Sequence, residues 1–351
     1  MNLRFSRQIR LPEVGDVGQE LIQNAKVLIV GMGGLGCPAA QYLIAAGVGL
    51  IGLVDGDRVE ESNLHRQILY SQQDIHKPKV TAAAERLQEL NSTTVIKCYF
   101  EHLNSVNVKD IFADYNIILD GTDNFEAKYL LNDMCLQMDK ILVSASVTGF
   151  EANLLIVTKN GPCLRCLYPQ ANMADIGNCN RTGVLGAFVG IVGSWQAAEI
   201  LKLILTQNNS AKKLFAVIEK VLFFDFYESQ IRSVKLAKNS SCICSKNKMD
   251  LEHFKSDSIY ITMDQVRSLE DSIFIDVRPE EELEAGPIPG IEMYKSFHRP
   301  YQQIMSNEFD KDNWNSDGNY ILCCSQGRRS AVVAQWLRDH GVQKSYSLRR
   351  S

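Results

Sequence analysis

Residues 25–57 read AKVLIVGMGGLGCPAAQYLIAAGVGLIGLVDGD. A short apolar, β-branched strand, Val27–Val30, runs into a glycine turn, Gly31-Met32-Gly33-Gly34-Leu35-Gly36. An alanine-rich helix follows, and a second apolar strand ends at Asp55, about 20 residues on, the spacing of a β-α-β nucleotide fingerprint. The glycines permit the sharp turn and bring backbone N–H groups close to phosphates at a helix N-terminus, where the dipole favours negative charge. An acidic residue ending the second strand is placed to accept hydrogen bonds from ribose hydroxyls. The expected fold class is α/β, opening with a Rossmann-like nucleotide-binding domain.

The remaining composition sets bounds. The chain has 351 residues, 45% apolar and 22% charged, which fits one large or two medium soluble domains. A net charge of −4 gives no general attraction to nucleic acid or membrane. No stretch reads as a membrane span, and MNLRFSRQIRLPEVGD has no apolar signal region, so a cytoplasmic protein is expected. Ten cysteines in such a compartment ask for chemistry other than disulfides. Cys37, Cys98 and Cys135 lie in apolar stretches and are expected to be small buried hydrophobes. The other seven cluster at Cys163/Cys166, Cys179, Cys242/Cys244 and Cys323/Cys324.

The glycine turn by itself fits an NAD(P)-dependent oxidoreductase equally well. ESNLHRQ (61–67) and HKPKV (76–80) then place Asn63, Arg66 and Lys79 just beyond the ribose-binding strand. Two cations there suit a ligand with more exposed phosphate charge, such as ATP. The strand in NIILDGTDNFEAKYLLN (116–132) ends in Asp120, followed by Asp123-Asn124 and a helix. A carboxylate at this carboxyl edge is well placed to hold Mg²⁺ on phosphates. Asp123 has an alternative role as helix N-cap, and Asp120 is expected in a solvated loop.

RFSRQIRLP, GMGGLGCPAAQYL, VDGDRVEESNLHRQ, KPKV, DGTDN, GPCLRC and GVLGAFVGIVGSWQAAEILK occur in that order. Together they closely resemble the MoeB/ThiF family of adenylyltransferases, related to ubiquitin-activating enzymes, over about residues 4–245. The resemblance implies that ATP activates the C-terminal glycine carboxylate of a ubiquitin-like sulfur-carrier protein ending in Gly-Gly, with loss of pyrophosphate. It assigns Gly34, Asp55, Asn63, Arg66, Lys79 and Asp123, with the rest of the glycine turn (Gly31, Gly33, Gly36) and Asn124, to an ATP–Mg²⁺ site. Arg7 looks like the arginine that such homodimers lend across their interface to the neighbour's phosphates. A sulfur donor such as a cysteine desulfurase would be a further partner.

GPCLRCLYP gives Cys163-x-x-Cys166 on a turn, half of a common zinc site. The family usually supplies a second C-x-x-C at the end of the domain. Here NSSCICSKN offers Cys242 and Cys244 with one residue between them, and a structural four-cysteine Zn²⁺ site is expected all the same. Cys179 sits in the polar stretch ANMADIGNCNRTGVLG beside Arg181, a setting that favours thiolate character. In the resembling family a cysteine at this point is associated with transfer chemistry after adenylation. An incidental surface cysteine is the alternative.

The first domain is expected over 1–245, a polar linker over 246–257, and a second α/β domain over 258–351. In the latter, IDVRP and the loop CSQGRRS leading into SAVVAQWLRDHG resemble a rhodanese, a persulfide-carrying sulfurtransferase. Counted from Cys323, the arginine spacing is that of protein phosphatases. Counted from Cys324, Gly327 and Arg329 fall as in rhodaneses, the shorter loop suiting a sulfur atom. Cys324 is therefore the expected nucleophile, with Cys323 buried on the opposite face of its strand. Arg328 and Arg329 are expected to stabilise the persulfide. Pro287 stands where rhodaneses commonly have histidine, and SLRRS stands where they continue into a last helix, so a shortened domain is expected.

The reading is an adenylyltransferase–sulfurtransferase that uses the second domain's persulfide to convert an acyl-adenylate to a thiocarboxylate. Molybdenum cofactor, thiamine and tRNA thiolation pathways all use this logic. An oxidoreductase and a non-catalytic carrier-docking module are its rivals.

Overall fold

The structure is a computed structural model that describes residues 3–169, 183–206, 216–245, 259–288, 290–291, 294–306, 314–315, 318–324 and 328–348. The described residues divide into two compact units, one up to residue 245 and one from residue 259 on.

The first unit is built on an eight-stranded sheet in the order β3-β2-β1-β4-β5-β6-β7-β8. Strands β1 (Lys26–Val30), β2 (Leu50–Val54), β3 (Val95–Tyr99), β4 (Ile117–Asp120) and β5 (Ile141–Thr148) are parallel neighbours. Strands β6 (Glu151–Val157), β7 (Lys220–Asp225) and β8 (Gln230–Lys235) extend it antiparallel. The runs VLIV (27–30) and LIGLV (50–54) carry no charge because the central parallel strands are covered on both faces, and only Lys26, at the mouth of β1, is exposed. Each side chain buried there contributes roughly 1.5–3 kcal/mol.

Four helices position the site. They are α1 (Gly36–Ala46), α2 (Lys79–Leu90), α3 (Phe125–Gln137) and α4 (Gly186–Leu205). The strand order reverses between β1 and β4, so the carboxyl ends of both open onto the crevice where doubly wound sheets bind ligands.

Three expectations are corrected. Helix α4 is long and apolar enough by composition to cross a membrane, although no stretch was expected to be. It packs against α1 and β5 as a core helix, with Gln196 and Glu199 fully buried. Glu199 accepts from Trp195 Nε1 and the Val217 N–H and pairs with Lys202, partners that a protein interior supplies. Asp120 is not a solvated loop residue but is 0% exposed at the end of the central strand β4. Cys98 is exposed because β3 is the sheet edge, whereas Cys37 and Cys135 are buried as expected.

The second unit has a five-stranded parallel sheet in the order β11-β10-β12-β13-β9. Its strands are β9 (Tyr260–Ile261), β10 (Ser272–Asp276), β11 (Ser296–His298), β12 (Asn319–Cys323) and β13 (Ser345–Leu348). Strands β11 and β13 carry little sign in the sequence. SFH is too short to show alternation, and the serines of SYSL disguise a buried strand. Ser345 is 0% exposed because its hydroxyl bonds the Ala334 and Val342 carbonyls. Helix α5 (Arg328–Asp339) covers one face with Val333, Ala334 and Leu337.

Candidate active site

The glycine turn leaves β1 with Gly31 at φ +91°, where a Cβ would stand 2.7 Å from the Gly121 carbonyl oxygen. Gly36 is tighter, its missing Cβ falling 2.0 Å from the Gly31 carbonyl. Gly31 lets the loops after β1 and β4 touch, and Gly36 lets α1 begin tight against the turn. Gly34 packs on Val189, while the absent Cβ of Gly33 would meet, among the described residues, only Gln67 Nε2, in ordinary contact at 3.8 Å. A backbone this uncrowded is what a phosphate cradle needs.

Asp55 follows β2 and holds the turn. Its carboxylate accepts from the Met32 N–H at 2.7 Å and the Asp57 N–H at 2.8 Å. Burial raises its pKa, against the opposing pull of Lys79. Lys79, the first residue of α2, is 6% exposed and pairs with Asp57 at 2.9 Å. Burial lowers its pKa, but the charges of Asp55, Asp57 and Asp123 together leave it raised. One buried ammonium therefore gathers acidic residues from the ends of two strands at one edge of the sheet. Arg66 is held by the Ser62 carbonyl at 2.8 Å and lies beside His65, and Asn63 is buried beneath them. The N-cap of α3 is Asn124, whose side chain accepts from the Ala127 N–H at 2.8 Å, so Asp123 does not serve as the cap and lies exposed. Arg7 is exposed on the short helix Ser6–Ile9.

Behind this edge, Asp120 receives Lys128 Nζ (2.9 Å), Ser144 Oγ (2.6 Å), and Thr122 N–H (2.9 Å) and Oγ1 (2.6 Å). These bonds fix the Gly121–Thr122 turn that presents Asp123.

The four cysteines Cys163, Cys166, Cys242 and Cys244 bring their sulfurs within 4.8 Å of one another. Cys163 lies 3.8 Å from Cys166 and 3.7 Å from Cys242, and Cys166 lies 3.5 Å from Cys244. A tetrahedral ion with metal–sulfur bonds of about 2.3 Å requires sulfurs roughly 3.8 Å apart, so the donor set fits zinc. The single-residue Cys242-x-Cys244 spacing reaches the cluster because the chain there bends through the turn Ile243–Ser245. Burial and the neighbouring sulfurs push the Cys163 thiol up. Burial opposes ionisation of Cys166 too, but the Cys163 and Asn239 N–H groups outweigh it and lower its pKa. Helix α3 braces the cluster: Asn132 accepts from the Leu164 N–H, and Asp133 takes Arg165 in a two-pronged pair.

In the second unit, Cys323 ends β12 in one apolar cluster, with Phe274 and Ile321. Cys324 lies in the other, with Ile275 and Leu322. Opposite faces were expected from strand alternation, and both residues are buried. The Cys324 sulfur accepts from the Ser330 N–H at 3.5 Å and sits 3.4 Å from Ser330 Oγ. That hydroxyl lies 2.8 Å from Ser347 Oγ on β13. Arg329 forms a two-pronged pair with Glu282 at 2.8 and 2.5 Å. Asp276, paired in register with Cys323, clamps Arg278, which also donates to the Gly286 carbonyl.

The ThiF family model matches residues 5–245, and the rhodanese-like domain model matches 262–351. The chain belongs to the ThiF family. This ThiF-family chain is 35% identical over 366 residues to "Adenylyltransferase and sulfurtransferase MOCS3" of Drosophila persimilis, covering 96% of itself and 79% of that protein. It is 38% identical over 331 residues to the protein of the same name from Culex quinquefasciatus, covering 87% and 73%. Among solved structures, "Crystal structure of E. coli MccB + ATP" matches with a TM-score of 0.59 at 23% identity, covering 70% of this chain and 75% of that one. That last likeness is one of fold.

Of the residues singled out in the ThiF-family sequence, the structure draws the glycine turn, Asp55 and Lys79 together, with Asp123 in electrostatic reach of Lys79. It also assembles all four cluster cysteines. Cys179, Gly327 and the 246–257 linker lie outside the described residues, as does the side chain of Arg328. Sequence reasoning missed Asp57, two positions beyond Asp55, and Ser330, directly after Arg329. Glu282 was missed as well, since one acid in EEELE carries no signal of its partner.

Proposed function

We propose that the chain adenylylates the C-terminal glycine of a ubiquitin-like sulfur-carrier protein and then delivers sulfur to it from Cys324. The observation that carries this is the buried Lys79 among Asp55, Asp57 and Asp123, with Asp55 tied to the Met32 N–H of the glycine turn. In the first step a carrier carboxylate oxygen attacks the ATP α-phosphorus, and the bond to pyrophosphate breaks. Like charges meet there, so the ammonium of Lys79 and guanidinium of Arg66 offset the repulsion and the charge on the leaving group. Asp123 and its neighbours would hold Mg²⁺, which would add further charge neutralisation on the phosphates. Asp55 would accept from the ribose, and Arg7 would reach the neighbour's phosphates in a homodimer.

The acyl-adenylate is a mixed anhydride. A persulfide on Cys324, loaded by a donor such as a cysteine desulfurase, would attack its acyl carbon through the outer sulfur, and AMP would leave. An acyl disulfide results. A second thiol then attacks the Cys324 sulfur and frees the thiocarboxylate, leaving Cys324 in a disulfide with that thiol; Cys179 is the chain's own candidate. The Ser330 N–H and hydroxyl stabilise sulfur anion at Cys324. Tethering the two units through 246–257 raises the effective concentration of each site at the other. Cys163, Cys166, Cys242 and Cys244 would hold a structural Zn²⁺, and the clustered thiols suit a cytoplasmic protein.

The test is ATP–pyrophosphate exchange with Gly-Gly carriers. Exchange that needs carrier, is lost in Asp123→Ala and survives in Cys324→Ala supports the reading. No exchange with any such carrier in metal-replete protein would overturn it.

A further inference from the structure

Gln67 is 4% exposed, yet its carbonyl oxygen Oε1 is sealed from solvent and receives no hydrogen bond among the described residues. Buried amides nearly always find partners, so one that does not calls for a reason. Gln196 makes the contrast. Its Oε1 is also unpartnered, but its Nε2 ties the Asp120 and Val143 carbonyls together at 2.9 and 3.0 Å, a bracing role within the protein. Among the described residues the Gln67 amide has no such ties. Its Nε2 is instead, among the described residues and chain neighbours apart, the one atom within 4 Å of the Cβ that Gly33 lacks.

The backbone holds it in that place. The Gln67 N–H bonds the Asn63 carbonyl at 3.0 Å, and its own carbonyl takes the Tyr70 N–H at 3.1 Å. Tyr70 in turn donates its hydroxyl to the Met32 carbonyl at 2.9 Å, so the Gln67 turn and the glycine turn move as one. An N–H donor is thus fixed over the uncrowded backbone of a phosphate-type loop, while the acceptor half of the same amide points where no ligand can reach. A ligand that offers hydrogen-bond acceptors fits this arrangement, and one that offers donors does not.

We propose that Gln67 is a further nucleotide-contacting residue, donating Nε2–H to a phosphate oxygen seated over Gly33. This rests on the ATP reading above and adds to it a residue outside the charged set. A donor to a phosphate oxygen makes a charge-assisted bond, stronger than a neutral one. The nucleotide then gives Nε2 its partner, while Oε1 stays sealed with or without it.

Calorimetric titration of the full chain with ATP and with adenosine tests this in wild type, Gln67→Leu and Gln67→Glu. Thermal unfolding of the nucleotide-free proteins is measured alongside. The expected result is about tenfold weaker ATP binding for Leu, about 1.4 kcal/mol. Glu, which sets a carboxylate beside phosphate, should lose more, and adenosine binding should hold in both. Nucleotide-free Gln67→Leu should melt no lower than wild type, because an apolar side chain of similar size replaces an unpartnered polar one. Unchanged ATP affinity in Leu, or an equal loss for adenosine, overturns the proposal. So does a fall in melting temperature with ATP affinity intact, which marks a structural role. A wild type that binds no ATP overturns the nucleotide reading and Gln67 with it, whereas an ATP-binding wild type with unaffected variants overturns Gln67 alone.

Discussion

The Lys128 ammonium stands 2.9 Å from the Asp120 carboxylate inside the first unit, with the two residues 4% and 0% exposed. Breaking such a pair leaves an uncompensated buried charge, at a cost of about 3–5 kcal/mol. Lys128→Met and Asp120→Asn should each lower the urea midpoint sharply. The double variant, with no buried charge left, should recover most of the loss. A double variant as unstable as the sum of the singles would show that the two residues act separately.

Lys79 predicts a loss of catalysis. Lys79→Met removes the cation from three acidic neighbours, so pyrophosphate exchange should fall by at least about 100-fold, as when one preorganised charge is lost at a transition state. Exchange within threefold of wild type would remove Lys79 from the reaction.

The cysteine cluster predicts bound metal. Purified protein should carry one zinc per chain by elemental analysis, and Cys242→Ser or Cys244→Ser should lower that content and the melting temperature together. Metal content unchanged in both variants would mean that these two sulfurs are not ligands.

In the second unit, Ser330→Ala removes the hydroxyl beside Cys324 and keeps the backbone N–H. Sulfur transfer from thiosulfate to cyanide should fall about tenfold while pyrophosphate exchange stays unchanged. Ser330→Thr should restore transfer. Equal loss of both activities would point to misfolding.

Asp74 sets an acid limit. Burial would raise its pKa, but the Ser71 N–H and hydroxyl and the Lys77 ammonium lower it to about 2. A carboxyl held below its unfolded value of 3.8 stabilises the fold above that pH and loses the effect as pH falls through 4 toward 2. Asp74→Asn should therefore narrow the stability difference between pH 5 and pH 2.5 relative to wild type, measured by urea unfolding. An identical pH profile would assign the acid sensitivity elsewhere.

Much of this was legible in the chain itself. The strand–glycine–helix–strand run of 25–57 fixes a local geometry, because glycine spacing and apolar runs act over a few residues. The same holds for the strand before Cys324, where alternation alone puts Cys323 and Cys324 on opposite faces. Asp120 was misread because its neighbours look like a polar loop. Its burial comes from Ser144 and Lys128, which approach from another strand and from a helix face.

Sequence by itself determined the two α/β units, the glycine turn with Asp55, and the separation of Cys323 and Cys324 onto opposite faces. Tertiary structure alone decided that Cys242-x-Cys244 closes on Cys163 and Cys166, that Lys79 gathers Asp57 as well as Asp55, and that Gln67 overlooks Gly33. The first set depends on backbone preferences between near neighbours, which residue types encode directly. The second depends on sheet order, which brings residues as far as 79 positions apart, as Cys163 and Cys242 are, to within 3.7 Å.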